Sequence, residues 1–271
     1  MRKPDGREVC ASFGFGYWPM SAENSLFRGP PAYTANTPWL PVRALLAAIA
    51  IVAVGILCAA LLVGNLDAGM PRPGRWRPAS QDAAALLTLG VWQTATVLLT
   101  ILASSLFGGK MGDVLALRTP AGGSAVYLEA LLLMLLLQVG VSIVQYGFLA
   151  DDMLGDLRPF ARLLAGQEWV LTLLVVGIGA PLSEELLFRG FLQSALAASR
   201  LGFGGAAVIT TGLWTAMHAG YSTAGMVEVF LIGLLFSWLL WRTGSLRVAL
   251  VCHALYNSLI VLVLRHVPLP T

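Results

Sequence analysis

Apolar residues fill the chain in long blocks separated by short polar stretches. Seven blocks each hold roughly 20 mostly apolar residues, the length that crosses a bilayer as a helix. They lie at about 43–64, 83–107, 125–150, 169–195, 203–219, 224–242 and 246–264, the fifth being the shortest. No strand-length run of alternating apolar and polar positions repeats, as the strands of a membrane barrel would require. Within hydrocarbon, every backbone N–H and C=O must be satisfied inside the protein, which leaves helices. The pattern predicts an all-α, polytopic membrane helical bundle with about seven transmembrane helices.

The polar stretches fill in the organisation. Residues 1–41 carry Pro, Gly, Asn, Ser, charges and scattered aromatics with no continuous apolar run. They are expected to form a poorly ordered tail that touches the membrane surface through Trp18 and Trp39, with no evident secretory signal peptide. Residues 42–268 are expected to form one polytopic membrane domain. Of its connections, 65–82 is punctuated by proline and should be irregular. The segment 108–124 contains GDVLALRTP, which suits a short amphipathic turn at the interface, and 151–168, opening DDMLGDLRPF, is expected to be an acidic loop.

Composition strengthens the membrane reading. The 271 residues are 57% hydrophobic and 11% charged, with a mean hydropathy of +0.77. Soluble domains carry about 25% charged residues. The net charge is +3 and the basic residues are scattered, so no run suggests nucleic acid and membrane lipids are the expected surroundings. Cys10, Cys58 and Cys252 are far apart and form neither a disulfide framework nor a metal knuckle. Cys58 and Cys252 suit small apolar packing roles.

Against this background, the ionisable and amide groups at membrane depth stand out. Such groups are costly in hydrocarbon and mark functional sites or bound partners. Glu184, Glu185 and Arg189 lie in the fourth predicted span within PLSEELLFRGFLQ, His218 closes the fifth, and His253 and Asn257 lie in the seventh. Glu185 and Arg189 are four residues apart, as are His253 and Asn257, so each pair shares one helix face. Glu184 lies 16 residues before Arg200 and His218 lies 18 after it. In an antiparallel hairpin turning there, the two are roughly 24 and 27 Å from the turn and therefore level.

Neighbouring positions on a helix point about 100° apart, so the two glutamates have different partners. One can activate a water while the other pairs with Arg189; the level with His218 favours Glu184 as the base. A carboxylate in a low-dielectric cavity moves toward the range of a general base. Histidine binds metal or donates to an oxyanion, and an asparagine amide donates likewise. The set points to hydrolysis of a carbonyl compound within the membrane. HExxH spacing is absent, but Glu184, His218 and His253 from different helices could form an open site for a divalent metal such as zinc.

These residues also form three motifs in order. Residues 184–189 read EELLFR, 214–218 read WTAMH and 253–257 read HALYN. The chain thereby resembles the CAAX protease and bacteriocin-processing (CPBP, or Abi) intramembrane endopeptidases, whose motifs are EExxxR, FxxxH and HxxxN or HxxxD. Trp214 stands where phenylalanine is usual. The likeness covers about residues 165–264. It implies an all-helical core whose motifs line an intramembrane cavity, and endoproteolysis of a membrane-associated or lipidated peptide or protein. Removal of a C-terminal tripeptide from prenylated proteins is the best-known eukaryotic activity. The resemblance further implies that the glutamate pair includes the water-activating acid. His218 would assist it or bind metal, and His253 and Asn257 would stabilise the oxyanion. Water activation with or without a metal fits, and a bacterial cell membrane is the expected location.

Other readings of the same residues stand beside this one. A Glu–Arg pair can be a purely structural bridge, and an asparagine on a transmembrane helix commonly joins helices. A transporter can carry ionisable groups at mid-membrane, but it more often shows internal repeats, which this chain lacks. A non-catalytic immunity or scaffold protein would keep the fold and tolerate loss of the glutamates. Glu129 and Glu228 lie near span ends and are expected to be interfacial or structural. Gln138 and Gln145 are expected to bond to neighbouring helices, and His266 to be solvated.

Overall fold

A computed structural model describes residues 25–67, 80–267 and 269. Among the described residues the regular structure is helical throughout. The helices are α1 (Pro41–Asp67), α2 (Gln81–Ser104), the short α3 (Met111–Val114), α4 (Ala125–Phe148) and α5 (Ala150–Ala165). They continue as α6 (Trp169–Ala197), α7 (Gly202–Ala216), α8 (Thr223–Thr243) and α9 (Leu246–His266).

Six of them, α1, α2, α4, α6, α8 and α9, are long and apolar enough to cross a membrane. The polytopic all-α bundle is therefore as the hydrophobic pattern predicts, with six long helices in place of about seven. The expected fifth span is α7, a helix of 15 residues. At 1.5 Å per residue it falls short of a bilayer's hydrocarbon core. It packs against α6 and α8 through buried Ala206, Thr210, Thr211 and Trp214.

One expectation for the connections changes. The stretch expected to be an acidic loop at 151–168 is largely α5. Its apolar residues Met153, Leu157, Phe160 and Leu164 recur at helical spacing and turn toward the bundle. Asp156 on the same helix accepts from Ser222 N at 2.8 Å and from Ser222 Oγ at 2.7 Å, tying α5 to the N-terminus of α8.

The expected tail 1–41 is described only from residue 25; Cys10 and Trp18 lie outside the described residues. Residues 25–40 are packed as a strap along the bundle. Arg242 donates to the carbonyls of Leu26, Arg28 and Gly29 at 2.6, 2.8 and 2.9 Å. Glu129 accepts from Leu26 N at 2.7 Å and from Ser25 Oγ. Trp39, expected to touch the membrane surface, is instead buried, with its indole N–H on Ala103 O at 3.1 Å and its ring between Phe107 and Phe191. A segment without periodicity can still be ordered when the helices offer it donors and pockets. Gln145 bonds across to Ala224 O and Glu228, as expected, whereas Gln138 turns back to Ser142 on its own helix.

Candidate functional site

The site grows from an irregularity in α6. Two stretches of this helix, Leu173–Gly179 and Glu185–Leu192, run in the wider π register, in which each N–H reaches five residues back. Such segments recur at functional sites. Ala180 N donates to Val175 O. The next donor in that register would be Pro181, which has no N–H. Val176 O is instead met by Asn257 Nδ2 from α9 at 3.0 Å, and Gly177 O by Ser258 Oγ at 3.4 Å. A carbonyl freed by proline is thus satisfied by a neighbouring helix, as an apolar setting requires.

Glu184 and Glu185 follow this break and diverge. Glu185 is fully buried, and its Oε1 takes both Arg189 Nη1 at 3.2 Å and His253 Nδ1 at 3.0 Å. Arg189 is also fully buried. Its guanidinium lies 4.2 Å from the ring centre of Trp214 and 5.7 Å from that of Phe236, so π faces meet part of a cation that has a single carboxylate bond. Arg189 Nε and Nη2 and Glu185 Oε2 have no hydrogen-bond partner among the described residues.

Glu184 is only partly buried, and its Oε2 accepts from Trp214 Nε1 at 2.7 Å. It lines a cavity of about 560 Å³ together with His218, Tyr221, His253 and Asn257, a size common for ligand sites. The apolar face of α5 closes one side of this cavity.

Both histidines are held through Nδ1. His218 Nδ1 lies 3.0 Å from Trp214 O, which accepts only, so the nitrogen carries the proton and donates. His253 Nδ1 donates to Glu185 Oε1 in the same way. When neutral, each ring then has Nε2 as its free acceptor. The His253 ring stacks on Phe236, with centroids 4.6 Å apart. Tyr221 lies outside the long apolar helices, in the connection between α7 and α8. Burial, followed by the carboxylates of Glu184, Asp156 and Glu228, pushes its hydroxyl up to about 12. It is a neutral hydroxyl on the cavity wall.

The structure therefore gathers all six residues singled out in the sequence: Glu184, Glu185, Arg189, His218, His253 and Asn257. Glu185 and Arg189 form a buried support, whereas Glu184, His218, His253 and Asn257 reach the cavity wall. Among the described residues, no three His, Cys, Asp or Glu side chains gather closely enough to hold a metal ion. Glu184, His218 and His253 bond through Oε2, Nδ1 and Nδ1 respectively, which leaves Glu184 Oε1 and both Nε2 atoms free but not gathered closely enough to share a metal ion.

Sequence reasoning missed two contributors. Gly233 on α8 lets Arg189 and Trp214 approach: a Cβ there would lie 2.7 Å from Arg189 Nη2 and 2.9 Å from Trp214 Cε3. Asp156 lies in a stretch not read as part of the site. No local signal distinguishes either residue from an ordinary helix glycine or loop acid.

Comparison with known proteins agrees with the motif reading. Residues 166–259 match the family model described as type II CAAX prenyl endopeptidase Rce1-like. All six residues fall inside that match. An Escherichia coli protein described as an uncharacterized 24.3 kDa protein is 36% identical over 88 residues, which are 31% of this chain and 40% of the relative. The chain thus matches less than half the length of that relative. No solved structure matches. Residues 166–259 are thus similar to that family, and six helices of the chain are long and apolar enough to cross a membrane.

Proposed function

We propose that the protein is an endopeptidase that hydrolyses a peptide bond of a membrane-associated or lipidated substrate, using a water activated by Glu184. It would act in a bacterial cell membrane. The observation that carries this reading is the contrast between the two adjacent glutamates. Glu185 is spent on Arg189 and His253 in full burial, while Glu184 lies on the wall of the cavity with one oxygen held by Trp214.

The chemistry follows from that placement. Glu184 takes a proton from a water in the cavity, and the resulting hydroxide attacks the scissile carbonyl. Charge develops on the carbonyl oxygen, where the second amide hydrogen of Asn257, together with His253 when its Nε2 also carries a proton, is the candidate donor. The proton taken up by Glu184 passes to the leaving amine, directly or through Nε2 of His218, as the C–N bond breaks. Glu185 and Arg189 keep His253 in one tautomer and orientation. The apolar face of α5 and the neighbouring helices supply a surface suited to a lipid-modified or apolar peptide.

The test is cleavage of a farnesylated, internally quenched peptide by purified protein in nanodiscs, with Glu184→Gln as the control. Cleavage by the wild type and none by the variant supports the reading. Equal cleavage by both removes Glu184 as the base, and none by the wild type on lipidated and unmodified peptides alike overturns the reading in favour of a non-catalytic role.

A further inference from the structure

Trp214 occupies a position where packing alone would ask only for an aromatic ring. Its side chain is 3% exposed. Three contacts radiate from this one residue. Its indole N–H donates to Glu184 Oε2 at 2.7 Å. Its carbonyl accepts from His218 Nδ1 at 3.0 Å. Its ring face lies 4.2 Å from the Arg189 guanidinium carbon, and Arg189 in turn holds Glu185. Gly233 leaves the space in which ring and guanidinium meet.

We propose that Trp214 is the positioning residue for the general base, an assignment that rests on the endopeptidase reading above. The indole N–H fixes Glu184 Oε2, so Oε1 is the oxygen left to receive the proton of the attacking water. A carboxylate with two equivalent free oxygens rotates, and a base must hold its lone pair within hydrogen-bond reach of the water. The indole–carboxylate bond also supplies a donor to a charged group in apolar surroundings, where an unmet carboxylate is costly. Phenylalanine, usual at this place in the resembling motif, fills similar space and offers a π face to Arg189 but has no N–H. The residue is therefore more than a packing aromatic: a phenyl ring would keep the contact with Arg189 and the backbone bond to His218 while losing the hold on Glu184.

Two variants separate the hydrogen bond from the shape. W214F removes the N–H and some volume. Replacement of Trp214 by benzothienylalanine, an isostere with sulfur in place of the indole N–H, removes the donor alone and keeps the fold testable should W214F unfold. In nanodiscs with the quenched farnesylated peptide, both are expected to lower kcat by about 10- to 100-fold, the range of a hydrogen bond to a charged group, with KM within about twofold of wild type.

A second readout does not depend on activity. In ¹⁵N-tryptophan-labelled protein, the indole resonance missing from W214F is expected to lie downfield and to move upfield in Glu184→Gln. An unmoved resonance, or full kcat in a folded benzothienylalanine variant, overturns the assignment while leaving the endopeptidase reading in place. Absence of cleavage by the wild type overturns that reading, and with it this assignment, even if the indole resonance reports the bond.

Discussion

The side-chain amide of Asn257 sits on Val176 O at 3.0 Å, where the π register of α6 would call on the absent N–H of Pro181. A helix break on α6 and an amide on α9 thus form one structural unit beside Glu184. Glu184 and Glu185, about 100° apart on the helix just beyond the break, meet a cavity wall and a buried support respectively. The amide closes the gap in backbone bonding that the break creates.

Asn257→Ala is expected to leave Val176 O without a donor and to cost about 1–3 kcal/mol of stability. Pro181→Ala restores an N–H to α6 and should lessen that cost. A double-mutant cycle by thermal unfolding in detergent measures the coupling. Strictly additive effects would show that the amide does not stand in for the missing N–H.

The two glutamates should fail in different ways. Glu184→Gln is expected to lower cleavage by at least about 100-fold, the low end for loss of a general base, with an unfolding temperature near that of wild type. Glu185→Ala leaves Arg189 buried without its counter-charge and is expected to destabilise the protein by about 3–5 kcal/mol. Peptide cleavage and thermal unfolding on both variants decide the matter; the reverse pattern would exchange the two roles.

Gly233→Ala places a methyl against Arg189 and Trp214 at distances below van der Waals contact. Overpacking of this kind costs about 1–3 kcal/mol. The variant should lose both stability and cleavage, because the groups displaced are those that hold Glu184 and Glu185. A variant with wild-type unfolding temperature and kcat would show that the pocket around Arg189 yields without consequence.

Treatment with a strong chelator followed by desalting is expected to leave peptide cleavage unchanged. Among the described residues Glu184, His218 and His253 do not gather closely enough to complete a metal site. Loss of cleavage that returns on adding zinc would show that Glu184, His218 and His253 rearrange to bind it.

Much of the site was legible from spacing alone. Glu185 and Arg189, four apart on one helix, pair as expected. Glu184 and His218, level by residue counting from Arg200, line the same cavity. That counting does not reach His253, which lies on another helix. In the structure α9 brings it onto Glu185 and Phe236. Other features were not legible. The acidic stretch opening DDMLGDLRPF was expected to be a loop, although Met153, Leu157, Phe160 and Leu164 keep helical spacing through it. Residues 25–40 lack periodicity because their order comes from Arg242 and Glu129, which are distant in the chain.

The sequence by itself determined the helical bundle and the set of candidate site residues. Long apolar blocks admit only helices in a membrane, and the polar residues inside those blocks are few enough to identify one by one. Tertiary structure alone decided which glutamate faces the cavity, that Trp214 and not a histidine holds it, and that α5 covers the site. Those outcomes depend on how far each helix is rotated and slid against its neighbours. Close approaches such as that at Gly233, and the bonds between Asn257 and α6, set that rotation and sliding. Neither leaves a mark in the periodicity of a single segment.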